Sequence, residues 1–165
     1  MAMSSSAGSA EHFGIALHCR ADGIEVTLRA RTMVLDLTGG CRLERGPNTL
    51  RLTGLKLVAE LPDAGGEQDG GTVALEQVSD VNARPQGGGR LAYDLSVPLS
   101  ATVTQPDGVI RLQASAPARW RVTTAAFPPQ GEFELAGDTI DFVLPESPES
   151  ATLVVRGLTL RMSEG

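Results

Sequence analysis

The chain has 165 residues, 21% of them charged, and a formal net charge of −6 at pH 7. That length suits one domain with a proper core, and the negative charge argues against a nucleic-acid partner. With one Trp, one Tyr and four Phe, the chain also lacks the aromatic platform on which single nucleic-acid strands stack.

Met1 to Glu11 is rich in Ser, Ala and Gly and reads as a disordered tail. It has neither a basic n-region nor an apolar core, and no later segment reaches membrane-spanning length. Cys19 and Cys41 are the only cysteines. Together these features give the expectation of reduced thiols in a cytoplasmic protein, with no membrane partner.

Residues 12–163 are expected to form a single all-β domain. The first strand, Phe13 to Arg20, and the second, from Ile24, flank Asp22-Gly23, a two-residue hairpin signal. The buried parity of the second strand changes from Ile24, Val26, Leu28 and Ala30 to Met33, Leu35 and Leu37. A bulge near Arg31-Thr32 accounts for the change, and Gly39-Gly40 then turns the chain. The next strand, Thr49 to Leu61, switches parity at Gly54. A short strand follows at Thr72 to Val78, between two loops, Pro62 to Gly71 and Ser79 to Gly89. One helical turn is compatible with Ser79 to Ala83.

Leu91 to Thr123 reads as one long hairpin over the turn Gln105-Pro106-Asp107-Gly108. Strict alternation gives each arm one buried face. Pairing Thr104 with Val109 sets Val103 against Ile110, Leu95 against Ala118, Tyr93 against Trp120 and Asp94 against Arg119. A one-residue slip would expose a whole face. Pro98 and Pro117 each remove a ladder donor, so a bend or bulge is expected there. A third hairpin, Glu132 to Leu144, turns at Gly137-Asp138. Pro145 to Ser150 forms an acidic loop, and the last strand, Thr152 to Met162, shifts parity at Gly157. The stretch Thr152 to Leu160 echoes Thr49 to Leu57, glycine on glycine.

Local turns joining successive antiparallel strands predict an up-and-down β-barrel of about 8–10 strands, with a two-sheet β-sandwich as the alternative. Catalytic signatures are missing. His12 and His18 are separated along one strand face by roughly 20 Å, and Cys41 has no identifiable base. Neither a Gly-x-Ser-x-Gly elbow nor a phosphate-binding loop occurs, and the expectation is no metal and no cofactor.

The unusual feature is the inner face of the long hairpin. Ala114, Ala116 and Ala118 are small where a filled core uses branched residues, and Tyr93 and Trp120 add two polar handles. Either another sheet or segment packs closely against these small residues, or they leave an apolar pocket for an apolar small molecule, in which Leu95, Leu99, Tyr93 and Trp120 join them as the candidate ligand-binding set. The chain would then be a carrier, or a cofactor-free cyclase or isomerase that folds a flexible substrate. The alternative is a ligand-free interaction or assembly module, with a homo-oligomer among its forms.

Overall fold

The computed structural model describes residues 13–46, 49–63, 70–83, 85–86, 91–124 and 133–164. The expected tail, the glycine run 87–89 and parts of both long loops lie outside the described residues. The alternating pattern forms strands throughout: β1 (Phe13–Leu28), β2 (Arg31–Gly46), β3 (Thr49–Glu60), β4 (Thr72–Gln77), β5 (Val81–Ala83), β6 (Pro85–Gln86) and β7 (Leu91–Val97). They continue as β8 (Leu99–Gln105), β9 (Gly108–Ala114), β10 (Ala118–Thr124), β11 (Phe133–Gly137), β12 (Ile140–Leu144), β13 (Ser147–Val155) and β14 (Leu160–Glu164). Among the described residues no helix is long and apolar enough to cross a membrane.

Eight of these strands pair antiparallel in a closed ring, in the order β1-β2-β3-β4-β8-β9-β12-β13 and back to β1. The remaining strands extend the same wall. β14 pairs with the first half of β1, β11 with β14, β10 with β11, β7 with β10, and β5 with the first half of β3. The chain thus makes eight long passes up and down: β1, β2, β3, β4–β5, β7–β8, β9–β10, β11–β12 and β13–β14. The lower halves form the ring and the upper halves continue it. This is the barrel-like, up-and-down architecture expected from the alternation.

Most passes are interrupted near their middle, and these interruptions are where the structure departs from sequence expectation. Asp22-Gly23 is not a hairpin turn. It is a bulge inside β1, with Gly23 at φ 63°, and it moves the buried parity from Leu17, Cys19 and Ala21 to Ile24, Val26 and Leu28. The turn comes six residues later, at Arg29-Ala30, both at positive φ (50° and 68°). The parity change assigned to Arg31-Thr32 is therefore the hairpin itself, because Ala30 belongs to the turn. Gly39-Gly40 does not turn the chain either, and β2 runs through it. A Cβ on Gly39 would sit 1.7 Å from the Lys56 carbonyl oxygen, so glycine is there for close strand approach. Gly54, at φ 64°, shifts parity in β3 as expected, and Gly157, at φ 55°, does so between β13 and β14.

The long hairpin forms with one correction. Below the middle, Thr104 pairs with Val109, Val103 with Ile110 and Ala101 with Leu112, as derived. Above it, Leu95 pairs with Trp120 and Tyr93 with Val122, two residues away from the expected register. The chain around Ser115 to Pro117 takes up that difference, and the even shift keeps Leu95, Val97, Ala118 and Trp120 inward. The third hairpin does not form. β11 and β12 continue in one direction, β11 between β10 and β14 above and β12 between β9 and β13 below. Residues 81–83 are strand, where one helical turn was compatible. β13 begins at Ser147, inside the expected acidic loop.

Side chains fill the places that the interruptions vacate. Asp36 Oδ1 accepts the Gly23 N–H (2.8 Å). Gln77 spans the Gly54 bulge, accepting from Leu55 N–H (3.1 Å) and donating to the Leu52 carbonyl (2.7 Å). Thr159 and Thr139 hydroxyls accept from Gly137 and Gly157. Freed backbone groups that would otherwise cost about 1–3 kcal/mol each are thereby satisfied. The interior is aliphatic, dominated by Leu, with Trp120 and Phe142 the largest fully buried side chains. Gln105 is the one buried polar side chain among the described residues. It closes the lower end, accepting from Arg29 Nη1 (3.0 Å) and donating to the Gly70 carbonyl (3.3 Å).

Candidate functional site

The seven residues of the expected site do not share one hollow. Leu95, Leu99, Ala118 and Trp120 are buried on the inner face of β7, β8 and β10. Ala114 is half-buried, paired with Phe142 of β12, and Ala116 is exposed in the break between β9 and β10. The Ala-rich run falls on an interruption, so three alanines that alternate in sequence do not alternate in space. Tyr93 pairs through its backbone with Val122 and Pro85; its side chain lies outside the described residues.

Trp120 is held in place. Its indole N–H donates to the Leu158 carbonyl (2.7 Å), and Gly137 packs so close that a Cβ there would be 2.5 Å from Nε1. The polar handle expected at a pocket mouth is instead engaged inside the wall.

An opening exists beside it. Among the described residues β10 and β11 share two rungs, Trp120 with Gly137 and Arg121 with Ala136. β9 and β12 likewise share two, at Ala114 and Gln113. Between these contacts the chain from Ala116 to Arg119 has no rung with the β11–β12 pass. A cleft of about 470 Å³ lies over β7, β10 and β11, lined mostly by the exposed Asp94, Ser96, Arg119, Arg121, Ala136 and Asp138, with Gly137 among them and the buried Leu95 and Trp120 beneath. Arg121 Nε bonds to Asp94 Oδ1 (3.0 Å). Arg119 makes no ion pair among the described residues. The volume is that of a small-molecule site. Of the expected set Leu95 and Trp120 border this cleft; Ala136, Gly137 and Asp138, which the sequence places in the third hairpin, border it too. Among the described residues no group of three His, Cys, Asp or Glu side chains is placed to hold a metal ion.

The fold is an antiparallel, up-and-down β ring with an aliphatic interior, and a surface cleft lies over β7, β10 and β11 beyond the ring. No family model matches the sequence, and no curated protein matches it. The structure of DynF, from the dynemicin biosynthesis pathway of Micromonospora chersina, is similar in fold. The TM-score is 0.66 at 14% identity, over 93% of this chain and 81% of that one.

Proposed function

We propose that the chain binds a small, mainly apolar molecule, and that the cleft beside Trp120 is its seat. The observation that carries this reading is the cleft of about 470 Å³ over β7, β10 and β11, where Asp94, Arg119, Arg121 and Asp138 surround Ala136 and Gly137. The similarity in fold to a protein of a biosynthesis pathway supports a role in small-molecule metabolism. Carriage is favoured over cyclisation or isomerisation. Trp120 N–H is engaged by Leu158, and Asp94 and Arg121 engage each other. Arg119 would meet a polar end of the guest.

A fluorescence titration with Nile red tests this. The folded chain takes up the dye, and Ala136→Trp, which fills the cleft from an exposed position, weakens uptake at least about tenfold. Uptake unchanged in that variant would exclude the cleft, and no uptake by the parent chain would exclude the function.

A further inference from the structure

Cys41 is buried and faces Cys19 across β1 and β2. The sulfur atoms are 3.4 Å apart. Leu17 pairs with Cys41 and Cys19 with Gly39, so the two cysteines are diagonal neighbours on the inner face, and Gly39 puts no side chain between them. We propose that Cys19 and Cys41 are a modification site, at which a hydroperoxide converts the folded chain to a form with a reversible β1–β2 disulfide.

The sulfurs must close to about 2.05 Å, and Gly39-Gly40 is the segment of β2 best able to yield. The reaction runs in two steps. One thiolate attacks a peroxide oxygen, giving a sulfenic acid and releasing water once the proton is returned. The second thiol then displaces water from the sulfenic sulfur. Two thiols and one hydrogen peroxide give one disulfide and two waters. The chain has no third cysteine to compete. The facing Cys19 thiol, and then burial, push the Cys41 thiol above its ordinary range, so bridging is slow at neutral pH and quickens as pH rises. The closed loop joins positions 22 residues apart and raises the melting midpoint by roughly 5–10 °C.

The experiment exposes the folded full-length chain to hydrogen peroxide, then denatures and alkylates it for intact-mass and peptide analysis. The expected product carries no alkyl group, is two hydrogens lighter and links the Cys19 and Cys41 peptides. Dithiothreitol restores two alkylatable thiols and the original midpoint. A bridge formed only in the urea-unfolded chain would overturn the proposal. So would overoxidation of either sulfur without a link, or two intact thiols after an exposure that fully oxidises free dithiothreitol.

Discussion

Four residues show how differently a small change can act in this wall. Gly39 and Gly54 are both glycines of long strands, but only Gly39 has a neighbouring backbone where a Cβ would go. Gly39→Ala must push β2 from β3 and should cost about 2–4 kcal/mol. Gly54→Ala meets open space and pays only for its positive φ, about 1 kcal/mol; urea denaturation of both variants checks the difference. Trp120→Phe keeps an aromatic ring but leaves the Leu158 carbonyl without its donor, a loss of about 1–3 kcal/mol. Cys41 makes stability depend on pH. Its folded-state pKa is raised above the ordinary 9.0, so the unfolded chain releases the proton first. Its contribution is complete below pH 9 and falls as pH rises beyond that value. Denaturation midpoints should decline above pH 9 in the parent and decline less in Cys41→Ala.

At the scale of the strand, alternation was readable and interruption only partly so. Leu50, Leu52, Leu55 and Leu57 show a parity switch at Gly54 that any one-sided strand would need, and the same holds at Gly157. Asp22-Gly23 was ambiguous, because glycine at positive φ serves a turn and a bulge equally well. Which it becomes depends on pairing with Thr38 and Leu35, far along the chain. The two-residue offset between β7 and β10 was invisible for a related reason: an even shift preserves the burial pattern. The register can be tested by a double-mutant cycle. Asp94 and Arg121 should couple by a few tenths of a kcal/mol, as exposed pairs do, and Asp94 and Arg119 should not. Gln77→Leu, which removes two hydrogen bonds across the Gly54 bulge and one to the Ser79 carbonyl, should cost about 2–3 kcal/mol in the same assay.

At the scale of the molecule, the order of strands around the ring follows their order in the chain, which is why local turns sufficed to indicate an up-and-down barrel. The site was less legible. Leu95 and Trp120 of the expected set border the cleft, whereas Ala136 to Asp138 reach it because β11 and β12 run on in one direction and form no hairpin. Native mass spectrometry of the freshly purified chain tests the central claim most directly. A monomer carrying a small apolar molecule that organic solvent extracts, and that Ala136→Trp fails to retain, is the predicted result. A discrete multimer of empty chains, indifferent to that substitution, would contradict it.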